Sequence, residues 1–180
     1  LKSKMISHLE SRAEQRATED PGRMAWVNTK SQETRFELLY QSGFTNDHSI
    51  YDVGCGVGAL FGFLLKRGFS GTYKGCDLIA KNCHDASQLY GKDLFDHGSF
   101  SELPVKECYD FVFASGIFFL DSMDWNLATR DLIKKMFVQS KVAVVVNFLS
   151  DRTPHKKLPH QKFCNPGEIL DLCDDFVSKY

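Results

Sequence analysis

The segment Tyr51-Asp52-Val53-Gly54-Cys55-Gly56-Val57-Gly58-Ala59-Leu60 constrains this chain more than any other. It sets three alternating glycines between a strand-like segment, Ile50 to Val53, and a helix-patterned stretch, Ala59 to Arg67, that ends at Gly68. Glycines at such a junction permit a tight turn and let the backbone approach a ligand closely. The helix that follows presents unpaired N–H groups to polar or anionic groups. Ordinary strand-to-helix turns use a glycine or two; three in alternation point instead to a nucleotide-like ligand.

The same strand-then-helix rhythm continues downstream. Thr72 to Cys76 reads as a strand, Ala80 to Tyr90 as a helix, Leu94 to Phe100 as a weak strand and Tyr109 to Ala114 as a strong one. Leu127 to Gln139 follows as an amphipathic helix, and Val142 to Phe148 is apolar nearly throughout, as a central strand covered on both faces should be. Such alternation builds βαβ units, hence a parallel sheet with right-handed crossovers, and the class is α/β. Ahead of the sheet, residues 1–20 are charge-rich with Met5, Ile6, Leu9 and Ala13 at helical spacing, and Thr18 to Gly22 breaks the segment. A second helix is expected from Ser31 to Tyr40, with Thr29 and Gln32 as a capping box and Gly43 beyond its end. We therefore expect a helical cap over residues 1–43 and a second unit over 44–180.

Composition removes several classes. Lys and Arg number 22 against 23 Asp and Glu, so the whole chain is not a strongly basic nucleic-acid binder. The longest aliphatic run, Val142 to Val146, falls far short of the ~20 residues of a membrane span. Leu1-Lys2-Ser3-Lys4-Met5 is followed by no apolar core, unlike a signal peptide. None of the six cysteines forms a Cys-x-x-Cys pair, and a domain this large has no need of a disulfide framework, so a reducing, cytoplasmic setting is expected. Cys76, Cys83 and His84 match no zinc-site spacing, so no metal is expected.

The glycine pattern alone leaves the ligand open. Gly54-x-Gly56-x-x-Ala59 satisfies the fingerprint of nicotinamide and flavin enzymes, and Asp77 lies at the expected ribose distance, so an NAD(P)-dependent oxidoreductase is one reading. It lacks a Tyr-x-x-x-Lys catalytic pair. Asp52 favours another: a carboxylate two residues before the first glycine repels a pyrophosphate but suits the ammonium and sulfonium charges of S-adenosyl-L-methionine. The segments Asp52 to Gly58 and Gly75-Cys76-Asp77-Leu78 resemble the first and second motifs of the class I S-adenosylmethionine-dependent methyltransferases.

That resemblance implies a three-layer Rossmann-like sheet, mostly parallel, and it implies roles. Asp77 would accept hydrogen bonds from both ribose hydroxyls, the backbone around Gly54, Cys55, Gly56 and Gly58 would hold the methionine part, and Leu78 would flank the adenine. Ser99, followed by Phe100, stands where the family often has an acid for the adenine amine; that departure keeps a non-catalytic binding module of the same fold in view. Ser115 closes the fourth strand, beside the transferring methyl. The stretch Trp26 to Phe36 resembles the helix that closes over the cofactor in some bacterial methyltransferases. Arg35 would there meet the methionine carboxylate and Trp26 would wall the transfer site, against the plainer roles of a solvated helix face and ordinary packing. Phe118 and Asn147 complete the expected substrate pocket. The family's final hairpin is expected to be short of its last strand, with Pro166 to Asp174 as the preceding helix and Phe176 to Tyr180 as the start of the sixth strand.

The acceptor is less legible. Methyl transfer is an in-line displacement, so alignment supplies much of the catalysis, and a base is needed only where the acceptor must lose a proton. Ser115-Gly116-Ile117-Phe118 occupies the place of the Asn/Asp-Pro-Pro-Tyr signature of planar-amine methylation, and Asp121, Asp124 and Asp151 make no convincing metal-binding set. His155 and His160 are candidate bases in a loop that also carries Arg152, Lys156 and Lys157, though a surface histidine is the commoner role. Trp125, Phe118 and Phe119 are candidates for an apolar pocket or for core. The expected partner is a small-molecule or protein acceptor, with no nucleic acid and no membrane.

Overall fold

The computed structural model of the chain describes residues 2–24, 26–104, 107–119, 125–154 and 161–177. Five parallel strands form the sheet: β1 (Ile50–Val53), β2 (Tyr73–Asp77), β3 (Phe95–His97), β4 (Tyr109–Ala114) and β5 (Ser140–Val146), in the order β3-β2-β1-β4-β5. β1 is buried along its whole length because it lies in the middle, its Asp52 opposite Gly75 of β2 and Phe113 of β4. Among the described residues six α-helices accompany the sheet: α1 (Lys2–Gln15), α2 (Thr29–Gln41), α3 (Ala59–Leu65), α4 (Ala80–Tyr90), α5 (Trp125–Val138) and α6 (Pro166–Val177).

Alternation along the strands sends side chains into two cores, the signature of a sheet covered on both faces. Ile50, Phe111 and Phe113 meet Phe36 and Leu39 of α2, Leu60, Phe63 and Leu64 of α3, and Cys83 and Ala86 of α4. Tyr51, Val53, Val112 and Ala114 meet Ile133 and Met136 of α5 and, at the margin, Ile169 and Leu172 of α6.

Two expectations are corrected. The apolar run at residues 142–146 belongs to β5, which is an outer strand of the sheet and not a central one; it contains no fully buried residue, and Val142 is 60% exposed. Apolar content alone does not separate a central strand from an edge strand that one helix covers. α6 runs on through Val177, so Phe176 and Val177 are helical and do not open a sixth strand; residues 178–180 lie outside the described residues. The strands seen after β5 are instead two short ones, β6 (Leu149–Ser150) and β7 (Phe163–Cys164), paired in parallel apart from the main sheet.

α2 also starts at Thr29, two residues before the expected Ser31, and its cap stands one residue before the Thr29 of the capping-box reading. Asn28, in extended conformation, is the cap, and its side chain accepts a hydrogen bond from the Ser31 N–H at 2.8 Å. Asn28→Ala is therefore expected to lower stability by about 1 kcal/mol in a urea titration, and Thr29→Ala by clearly less.

Among the described residues no helix is long and apolar enough to cross a membrane, and no group of three His, Cys, Asp or Glu side chains is placed to hold a metal ion.

Candidate active site

The β1–α3 turn is built on left-handed glycines. Gly54 (φ 78°) and Gly56 (φ 55°) occupy a region that side-chain-bearing residues rarely enter. Space enforces the same choice: a Cβ on Gly54 would collide with Cγ2 of Ile117, and one on Gly56 would lie 2.7 Å from Cε of Met24. The turn is tied to the end of β2, because the Gly54 and Cys55 N–H groups both donate to the Cys76 carbonyl, at 2.8 and 3.0 Å.

Asp77 locks the turn from the other side. Its Oδ2 accepts from the Gly56 N–H at 2.9 Å, and its Oδ1 accepts from the Ile79 N–H at 2.8 Å and the Asn82 amide at 3.3 Å. Burial raises its pKa, while the donated N–H bonds pull it back down. Asp52 is buried on β1 and accepts from the Tyr73 hydroxyl at 2.8 Å. Burial pushes its carboxyl up to about 7, against the lowering effect of that hydroxyl. Both carboxylates line one cavity of about 140 Å³, whose floor is Gly54, Cys55 and Gly56. Among the described residues neither is in an ion pair.

The N-terminal segment covers this cavity with Leu9, Arg23, Met24 and Trp26. Arg23, in a 3-10 turn over Pro21–Met24, is the functional neighbour that sequence reasoning missed. Its side chain is 2% exposed and donates to Asp85 at 2.7 Å and to the Asn82 side chain at 3.1 Å. Asn82 in turn donates to Asp77, so the cap is wired to the site. A lone arginine in a Pro-Gly turn reads as a surface residue, since arginine is almost never fully buried unless paired, and its partner lies 62 residues away. Arg23→Ala is expected to cost roughly 2–3 kcal/mol in thermal or urea unfolding, because it leaves the buried Asn82 carbonyl oxygen without its donor and Asp85 with only the half-exposed Lys81 as its cation.

The other expected cofactor residues divide. Leu78 and Ser115 line the cavity beside Asp52, Asp77 and the first glycines. Gly58 begins α3 and faces Phe95 and Tyr90, away from the cavity. Ser99 and Phe100 are also outside its lining: the Ser99 carbonyl accepts from Glu102 and Leu103, and Phe100 is buried against Tyr51, 5.1 Å between rings.

A second cavity of about 150 Å³ adjoins the first, sharing Met24, Trp26, Gly116 and Phe119 with it. Arg35 and Asn147 line this one, and Arg35 does not reach the first. Asn147 braces the end of β4: its amide donates to the Ser115 hydroxyl at 2.6 Å, and its carbonyl accepts from the Gly116 N–H at 3.2 Å. Phe118 is turned into the core against Phe148, with ring centroids 4.8 Å apart, and its neighbour Phe119 faces the cavities instead. Asp121, Asp124, His155, Lys156, Lys157, His160 and the Trp125 side chain lie outside the described residues.

A family model described as a methyltransferase domain matches residues 51–133. No curated protein matches the sequence. Among solved structures, magnesium protoporphyrin IX methyltransferase from Synechocystis PCC 6803 with bound S-adenosylmethionine is 18% identical, covering 84% of this chain and 74% of its own, with a TM-score of 0.61. The complex of DhpI with S-adenosylhomocysteine is 14% identical over 95% of this chain and 84% of its own, TM-score 0.60. A TehB-like S-adenosylmethionine-dependent methyltransferase from Corynebacterium glutamicum is 20% identical over 79% and 71%, TM-score 0.57. The matched stretch begins within β1 and contains both buried carboxylates, and the chain shares the fold of these Rossmann-like S-adenosylmethionine-dependent methyltransferases.

Proposed function

We propose that the chain transfers a methyl group in line to a small-molecule acceptor seated in the second cavity, with S-adenosyl-L-methionine held in the first. The observation that carries this reading is the pair of buried carboxylates, Asp52 and Asp77, in one cavity wall without a cationic partner among the described residues. Such a site attracts a cationic ligand that also bears hydroxyl donors, and repels the pyrophosphate of a nicotinamide cofactor. When bound, the cofactor supplies an electrophilic methyl on a sulfonium.

The chain's own residues then have separable tasks. Asp77 accepts from one ribose hydroxyl at the Oδ2 site that Gly56, Ile79 and Asn82 leave free, and from the other in place of the long 3.3 Å Asn82 bond. Asp52, as its carboxylate, pairs with the amino-acid ammonium, and the backbone from Gly54 to Gly56 bounds the methionine part. Leu78 flanks the adenine and Ser115 sits at the transfer end; Ser99 and Phe100 contribute only through the turn after β3. The segment 1–43 acts as a cap on the 44–180 unit, with Trp26 and Met24 shielding the junction of the two cavities from water. Six free cysteines, four of them buried, support a reducing compartment such as the cytoplasm.

The test is transfer of labelled methyl from S-adenosylmethionine into a cell extract fractionated into metabolites and protein. Label in the metabolite pool is the expected result. Label confined to protein would move the acceptor to a protein, and no transfer would contradict the proposal.

A further inference from the structure

We propose that the second cavity recognises a carboxylate on the methyl acceptor, through Arg35, so that the substrate is a small carboxylic acid with a flat apolar body. This rests on the two-cavity reading above and gives its acceptor a chemical class.

The Arg35 guanidinium lies over the Trp26 ring, 4.8 Å from its centroid. Nη1 donates to the Ser31 carbonyl and, at 2.9 Å, to the Ser31 hydroxyl, which fixes the plane of the group. No carboxylate among the described residues pairs with it. Burial lowers its pKa, the mark of a charge stripped of water without a compensating anion. A guanidinium held by its face and by one nitrogen keeps an edge for a planar oxyanion, which it binds bidentately and strongly where water is scarce.

The rest of the wall selects the remainder of the ligand. Trp26, Phe119, Phe148 and Leu149 are apolar, while Asn147 and Gln161 offer neutral polar groups. One cation matches one negative charge, so a carboxylate suits the site better than a phosphate dianion. The methionine carboxylate is the competing guest, but Arg35 faces the second cavity, whereas Gln32, one turn earlier on α2, lines the first.

The experiment titrates the full chain, with and without saturating S-adenosylhomocysteine, using matched aromatic carboxylates and their primary amides. The pairs are benzoate and benzamide, 4-hydroxybenzoate and its amide, and indole-3-acetate and its amide, with phenyl phosphate as a further arm. At least one carboxylate is expected to bind about tenfold or more tightly over its amide, and Arg35→Gln to erase that preference while S-adenosylhomocysteine affinity changes by less than about twofold. Arg35→Lys, which keeps the charge but not the fork, is expected to retain part of it. Unchanged cofactor affinity in Arg35→Gln also shows that the variant is folded.

Equal binding of acids and amides, no binding by any acid, or binding of phenyl phosphate alone would overturn the proposal. A tenfold loss of S-adenosylhomocysteine affinity in Arg35→Gln would do so too, by returning the residue to the cofactor. A wild-type chain that takes carboxylates but not S-adenosylhomocysteine would leave the Arg35 subsite standing and remove the methyltransferase reading of the first cavity.

Discussion

Asp77→Ala is expected to weaken S-adenosylhomocysteine binding by at least about 100-fold, because hydrogen bonds to a charged acceptor contribute roughly 1.5–3 kcal/mol each and the ribose offers two. The loss has a second source. Asp77 accepts from the Gly56 N–H, the Ile79 N–H and the Asn82 amide at the lip of the cavity, so its removal also loosens the turn that the ligand must find preformed. Asp77→Asn keeps the shape but turns one acceptor into a donor facing N–H groups, and an intermediate loss is expected. Calorimetric titration measures both, with a urea titration to separate binding from stability. An alanine variant that binds within about threefold of wild type would remove Asp77 from the site.

The second large effect is a pH dependence centred on Asp52. Its carboxyl titrates near 7 in the folded chain and near 3.8 when exposed, so between those values the folded state keeps a proton that the unfolded state has released. Stability of the cofactor-free protein from this group is therefore fully present below about pH 4, falls as pH rises, and levels above about 7, a total on the order of 4 kcal/mol. Cofactor affinity runs the other way. The ammonium pairs with the carboxylate form, so binding strengthens by up to about tenfold per unit from pH 5 toward 7 and then flattens. Asp52→Asn is expected to flatten both curves and to bind weakly at every pH. Thermal unfolding and calorimetry at pH 6 and 8 read the two slopes; affinity that is flat across that range would place the ammonium elsewhere.

What the sequence made legible was local. The strand, the three glycines and the helix after them are contiguous, and Asp77 stands at the end of the next strand, so residues 50–90 carried their own geometry in their spacing. β5 was misplaced as central because its covering comes from α5 and from its rank in the sheet, which no run of valines encodes. Arg23 was invisible because its meaning lies in Asp85 and Asn82, far along the chain. Phe118 and Phe119 are adjacent and apolar, yet one fills the core and the other faces the cavities, a choice made by the turn after β4. Arg35 was recognisable as a candidate, but which of two adjoining cavities it faces depends on the angle at which α2 crosses the sheet.

The central claim is that the cavity bounded by Asp52, Gly54 to Gly56 and Asp77 is built for S-adenosyl-L-methionine. Calorimetric titration of the whole chain with S-adenosylhomocysteine, run beside reduced nicotinamide adenine dinucleotide, addresses it most directly. One equivalent bound with a Kd of about 1–100 μM, and no heat from the dinucleotide, is the predicted result. Binding of the dinucleotide, or no binding of S-adenosylhomocysteine, would contradict it.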